Sequence, residues 1–109
     1  MNDDTISQPL ALITSWRESL TSEQTRELSK FPSVDIARLA ATYRASRVKK
    51  PSWNVSVGAV LYHYFKVSKL PMDLVYSVGT QASLAYYFNV DKSVLARHWS
   101  ALEVWLCPV

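Results

Sequence analysis

The chain has 109 residues, of which 49% are hydrophobic and 19% charged, and its formal net charge is +3. This length suits a single domain with one core, and the four Trp and six Tyr residues supply enough apolar surface to exclude an intrinsically disordered chain. No apolar run reaches the roughly 18 residues that a membrane-spanning helix needs, so we expect no membrane partner.

The two ends of the chain bear on its compartment. Residues 1–4 are acidic where a signal peptide would be basic, so we expect a cytoplasmic protein. Cys107 is the one cysteine of the sequence. It allows neither an intramolecular disulfide nor a site with several thiolate ligands, and a reducing compartment agrees with both points.

The charge is unevenly distributed along the chain. Residues 1–35 contain three basic and six acidic residues, a net charge of −3, whereas residues 36–98 contain nine basic and two acidic residues, a net charge of +7. A domain with an acidic part and a cationic part has a directional field, which suits a polyanion bound at one face. An ordinary solvated surface is the alternative interpretation of the same distribution.

The predicted elements of the first half are helices. Only two Gly residues occur and no stretch alternates apolar and polar residues, so the sequence predicts an all-α bundle of about six or seven short helices. Ser7 is the predicted cap of the first helix, and Thr21 with Gln24 forms a capping box that opens a second. Ser33 is the predicted cap of a third helix, which ends in the basic run 47–50.

The second half continues in the same way. Ser52 opens a fourth helix, whose apolar residues predict that it is the most buried one. A fifth helix covers residues 72–78, and Gly79 is expected to close it in a left-handed conformation. Thr80 and Asp91 are the predicted caps of the sixth and seventh helices. We expect one helical domain over residues 1–109, with an acidic N-terminal part.

Residues 80–100 meet the steric demands of a sharp turn between two helices. Ala85 is small enough to let the second helix cross closely, and Asn89 tolerates the left-handed backbone that such a turn usually assigns to Gly. Val90 fills the corner that follows. The segment resembles the helix-turn-helix of DNA-binding proteins of the phage repressor and Cro type, with Asn89 in place of the usual Gly. The resemblance covers Gln81, Leu84, Ala85, Phe88, Val90 and Leu95.

This resemblance implies a small sequence-specific protein that binds double-stranded DNA as a homodimer, and so a transcriptional regulator. It places Lys92, Ser93 and Arg97 at base edges in the major groove, with a phosphate as the alternative contact of Arg97. Gln81 would contact a phosphate. Further phosphate contacts are expected from Arg44, Arg47, Lys49 and Lys50, although cations also suit an ordinary helix C-terminus. The expected dimer interface consists of Trp99, Leu102 and Trp105.

Two other functional classes have to be compared with DNA binding. An enzyme is not expected, because His63 and His98 are far apart in sequence and no residues have the spacing of a metal site or of a phosphate-binding Gly-rich loop, and for the same reason no cofactor is expected. The alternative is a helical protein–protein interaction module, an adaptor or inhibitor that does not bind DNA. It is favoured by a surplus of large rings, namely Trp53, Trp99, Trp105, Tyr62, Tyr76 and Tyr86.

Overall fold

The structure is a computed structural model that describes residues 6–106, and every regular element in this range is a helix. The helices are α1 Ser7–Glu18, α2 Ser22–Glu27, α3 Ser33–Ser46, α4 Trp53–Val67, α5 Met72–Val78, α6 Gln81–Phe88 and α7 Lys92–Leu106. The predicted all-α bundle is confirmed. Cys107 lies outside the described residues. None of the described helices is both long enough and apolar enough to cross a membrane.

Helix α4 lies at the centre of the bundle and packs against α1, α3, α6 and α7. Residues 55–61 are all buried, and seven consecutive buried residues occupy every face of a helix, as expected for an element surrounded by others. Gly58, which has no side chain, allows α6 and α7 to approach α4 closely. A Cβ atom at this position would lie 3.1 Å from Cδ1 of Leu95 and 3.7 Å from the ring of Phe88, so both α6 and α7 pack against α4 here.

Most of the predicted helix starts are confirmed. The backbone N–H of Gln24 donates to the Thr21 hydroxyl at 3.1 Å, and the Thr21 N–H donates to the Gln24 side chain at 2.9 Å, which completes the predicted capping box. The hydroxyl of Ser52 caps α4, and that of Thr80 caps α6. These local bonds satisfy N–H groups that have no partner inside the helix.

The predicted caps Ser7 and Ser33 are wrong by one residue. The carbonyl of Ile6 already accepts from the N–H of Leu10 at 2.8 Å, so Ile6 is the N-cap of α1. Pro32 likewise is the N-cap of α3. Proline is suited to this position because it has no N–H that would need a partner.

Gly79 does not adopt the predicted left-handed conformation, since its φ is −110° and its ψ is 4°. Its role is steric. A Cβ atom at Gly79 would lie 2.4–2.9 Å from three ring atoms of Phe65, and Phe65 is itself buried with its ring packed edge-on against Trp16. A glycine at this position therefore gives the Phe65 ring the space that it needs.

Candidate nucleic-acid interface

Helices α6 and α7 and the turn between them form a unit, residues 80–106, that is called here the α6–α7 unit. Asn89 in its turn has φ 55° and ψ 50°, the predicted left-handed conformation, and it is the one non-glycine residue of the described range with a positive φ. The N–H of Val90 donates to the carbonyl of Ala85 at 3.0 Å, which closes α6. The sharp turn predicted from Asn89 is thus present.

The apolar residues of the α6–α7 unit are buried as predicted. Leu84, Ala85, Phe88 and Leu95 are buried, and Val90 is half-buried in the corner. Asn54 of α4 donates from Nδ2 to the carbonyl of Phe88 at 2.7 Å. This bond satisfies an end group of α6 and fixes the unit to the N-terminal end of α4.

The N-terminal ends of α6 and α7 lie side by side. Nε2 of Gln81 donates to the carbonyl of Lys92 at 2.9 Å. Asp91 caps α7, because its carboxylate accepts from the hydroxyl of Ser93 and from the Ser93 N–H at 2.8 Å. These two bonds and a third from the N–H of Val94 lower the pKa of Asp91. Two helix N-termini are therefore presented together.

The predicted DNA contacts in this unit fall into two groups. Gln81 uses one N–H of its amide within the chain and retains a second donor, whereas Ser93 can only accept a hydrogen bond from a base while its hydroxyl remains bonded to Asp91. Lys92 and Arg97 are exposed and have no carboxylate partner at salt-bridge distance among residues 6–106. These two residues are the exposed cations of α7.

The basic segment formed by Arg44 in the last turn of α3 and by Arg47, Lys49 and Lys50 after it also contains engaged and exposed cations. Nε of Arg44 donates to the carbonyl of Pro51 at 2.8 Å, and its guanidinium carbon lies 4.5 Å from the ring centroid of Trp53, so Arg44 holds this loop against α4. Arg47, Lys49 and Lys50 are exposed. Nζ of Lys50 is 3.5 Å from the carbonyl of Arg47 and partly satisfies the end of α3.

This basic segment and the start of α7 lie at the same end of α4. Trp53 contacts Arg44, whereas the next residue, Asn54, is bonded to Phe88 at the end of α6. Further along, α4 and α7 stay in contact, with the rings of Tyr62 and Trp99 separated by 5.1 Å between centroids. We call the exposed cations at this end the basic end; they are Arg47, Lys49, Lys50, Lys92 and Arg97.

A polar pair that the sequence does not predict, the buried Tyr43 and the half-buried His98, lies next to the basic end. The hydroxyl of Tyr43, on α3, is 2.8 Å from Nδ1 of His98, on α7. Burial, followed by the charges of Arg97 and Arg47, lowers the pKa of His98. Burial raises the pKa of Tyr43, which the same two arginines oppose. The guanidinium groups of Arg47 and Arg97 therefore both affect the pKa values of the Tyr43–His98 pair, although the two arginines lie far apart in the sequence.

Of the three residues of the expected dimer interface, Leu102 is buried, whereas Trp99 and Trp105 are half-buried. Leu102 has 0% of its surface exposed and lies in the core of its own chain. Trp99 packs against Tyr62, and Trp105 packs against Tyr43 with 6.0 Å between ring centroids. The physical reason is that this side of α7 faces α3 and α4, so its apolar surface is used inside the chain.

The exposed aromatic rings of the described residues lie instead on α5 and α6. Tyr86 is 89% exposed and Tyr76 is 68% exposed. Tyr86 also lines two neighbouring open grooves, one with Trp16 and Leu20 of the α1 region and the other with Val90 and Lys92. The aromatic surplus in the sequence is therefore partly core and partly surface.

Comparisons of the chain with protein-family models, with curated proteins and with solved structures find no match. The interpretation of the site therefore rests on this chain's own residues. Within residues 6–106, no three His, Cys, Asp or Glu side chains are grouped so that they could hold a metal ion.

Proposed function

We propose that the chain is a small protein that binds double-stranded DNA, with the α6–α7 unit as a helix-turn-helix. The observation that carries the proposal is the pairing of two helix N-termini through Gln81 and Lys92, next to cations without carboxylate partners among residues 6–106. Free N–H groups at helix N-termini and unpaired Lys or Arg side chains both favour phosphate oxygens.

The roles within the basic end follow from exposure. Lys92, at the first turn of α7, is our candidate for a base edge in the major groove, where its ammonium can donate to a guanine. Arg47, Lys49 and Lys50 are candidates for phosphates, because they project from a loop at the same end of α4. Sequence-specific DNA binding by such a unit is typical of a transcriptional regulator, and we propose this role for the chain, in the cytoplasm.

We further propose that the chain binds DNA as a homodimer, since two-fold symmetric binding sites are the rule for this mode of recognition. With Leu102 buried in its own chain, the contact is assigned to the exposed side of α6 around Tyr86. That surface combines a protruding ring with adjacent grooves. The Tyr86 ring of one copy and the groove beside Trp16 and Leu20 of the other would satisfy a two-fold arrangement, and Lys92, which lines the second groove, would stay free for DNA.

The test uses the full chain and a selection from a pool of randomised duplexes. Fluorescence anisotropy of the selected duplex should show an affinity that falls steeply with rising salt, because each bound phosphate releases counterions. Lys92→Ala should weaken binding and relax sequence preference. The control is Lys69→Ala, which removes the same charge after the far end of α4, about 20 Å away from Trp53. Absence of binding at low salt, or equal effects of the two variants, would refute the proposal.

The second candidate function is a protein–protein interaction module, and the observation that favours it is the 89% exposure of Tyr86 between two grooves. Exposed rings of this kind are typical of interface centres. A chain that retards no duplex at low salt, but whose self-association is abolished by Tyr86→Ser, would have this function and not the first.

A further inference from the structure

The hydrogen bond between Tyr43 and His98 fixes the position of a proton. Tyr43 is fully buried, and its hydroxyl has Nδ1 of His98 as its one hydrogen-bond partner among residues 6–106. A buried O–H without an acceptor is strongly disfavoured, so this hydroxyl donates to Nδ1. Nδ1 therefore has no proton, and the neutral ring carries its proton on Nε2. That N–H donor is directed away from Tyr43.

The groups around His98 favour its neutral form, and two of them are arginines. On α3 these groups are Tyr43 and Arg47, whose guanidinium carbon lies 5.7 Å from the Tyr43 ring centroid. On α7 the group is Arg97, which precedes His98 in the chain. On α4, which also packs against α7, His63 pairs with Glu103 further along. Burial and the two arginines lower the pKa of His98, and protonation of Nδ1 would also leave the Tyr43 hydroxyl without its acceptor.

We propose that Arg47, Arg97 and the Nε2–H of His98 form a binding site for one phosphate group of the DNA backbone. Tyr43 is the positioning residue that selects the His98 tautomer. Two guanidinium groups provide charge-assisted donors, and the neutral imidazole adds a third donor. Arg97 is thereby assigned to a phosphate and not to a base edge. That the phosphate belongs to DNA rests on the proposed function, whereas the site itself rests on the Tyr43–His98 pair and the two arginines.

The test is an NMR titration of the full chain labelled with ¹⁵N-histidine, first with inorganic phosphate and then with a duplex. The ¹⁵N shifts of the free protein should show His98 as the Nε2–H tautomer. Phosphate and duplex should both shift the Nε2 signal of His98, while His63, which is paired with Glu103, provides an internal control.

Arg47→Ala should weaken both phosphate and duplex binding about tenfold, by the same factor for every duplex sequence. Arg97→Ala should do the same, which separates a phosphate contact from a base contact. Arg38→Ala is the matched control, since it removes an exposed arginine from the same helix as Tyr43. It should leave the His98 signals unchanged. If Arg97→Ala instead relaxes the preference at one base pair, the assignment of Arg97 is wrong.

Three further variants test the positioning role. Tyr43→Phe keeps the ring but removes the donor, so His98 should become a mixture of tautomers with weaker phosphate binding. His98→Gln should retain phosphate binding, because a glutamine carbonyl can accept from Tyr43 while its amide donates outward. His98→Leu should lose it. If the pair had only a structural role, these variants would change stability but the folded variants would bind phosphate like the parent.

The outcomes keep this inference separate from the proposed function. If phosphate shifts the His98 signal but no duplex binds, the site stands and DNA binding is wrong. If a duplex binds without shifting that signal, DNA binding stands and the phosphate site is wrong. If neither ligand has an effect, both proposals are overturned.

Discussion

Gly79→Ala should destabilise the protein through a steric conflict with Phe65. The new Cβ would lie 2.4–2.9 Å from three ring atoms, whereas ordinary carbon contacts are about 3.5–4.0 Å, so the ring has to move by about 1 Å. Overpacking of this kind costs about 1–3 kcal/mol. Alanine recovers about 0.4–1 kcal/mol by restricting the unfolded chain, because the φ of Gly79 suits any residue. The net loss should be about 1–2 kcal/mol.

Urea unfolding followed by Trp fluorescence measures this loss, and Trp16 contacts the ring that moves. The second variant is Phe65→Ala, which removes all three of the ring atoms that conflict. It should cost about 3–5 kcal/mol alone, but Gly79→Ala in that background should be neutral or stabilising. If Gly79→Ala costs the same with and without the Phe65 ring, the steric argument is refuted and a backbone cause is required.

The remaining predictions concern the turn, its cap and the proposed dimer. Asn89→Ala should cost about 1 kcal/mol in urea unfolding, because alanine lacks the short polar side chain by which Asn tolerates the left-handed region, whereas Asn89→Gly should be at least as stable as the parent. Asp91 has a pKa below its usual value of 3.8, so its stabilisation is complete above that value and is lost as the pH falls through the lowered pKa. The stability difference between the parent and Asp91→Asn should therefore disappear at low pH in thermal unfolding; a constant difference would contradict this account. In sedimentation equilibrium, Tyr86→Ser should be monomeric under conditions in which the parent dimerises, while the exposed control Val104→Ser should behave like the parent.

Sequence reasoning predicted the features that depend on neighbours in the chain. The Thr21–Gln24 capping box and the cap at Thr80 each need only residues within one helical turn, and the left-handed Asn89 needs only its own side chain. Gly79 shows where this reasoning stops. A glycine after a helix is typical of a left-handed C-terminus. At position 79, however, glycine is needed because the Phe65 ring of α4 lies against it, and no local sequence pattern includes that ring.

The candidate site likewise has local features that the sequence predicts and long-range contacts that it does not. The pattern of α6 and α7 predicted which residues are buried, because amphipathic spacing reports the inward side of a helix. It did not predict what covers that side. Trp99 and Trp105 were therefore expected at a dimer interface, although they pack on Tyr62 and Tyr43 of their own chain. The Tyr43–His98 bond, which joins residues 55 positions apart, had no signal in the sequence at all.

The cations that give residues 36–98 their net charge of +7 do not lie on a single surface. This limits how steeply the affinity for DNA can depend on salt concentration. Lys66 and Lys69 belong to the far end of α4, and Arg44 is engaged with Pro51 and Trp53. Even if each of the five exposed cations of the basic end neutralised a separate phosphate, the slope of log affinity against log salt would be no steeper than about −4.5 per subunit. A steeper measured slope would require cations away from this end, and would show that the DNA covers a larger surface than the one proposed.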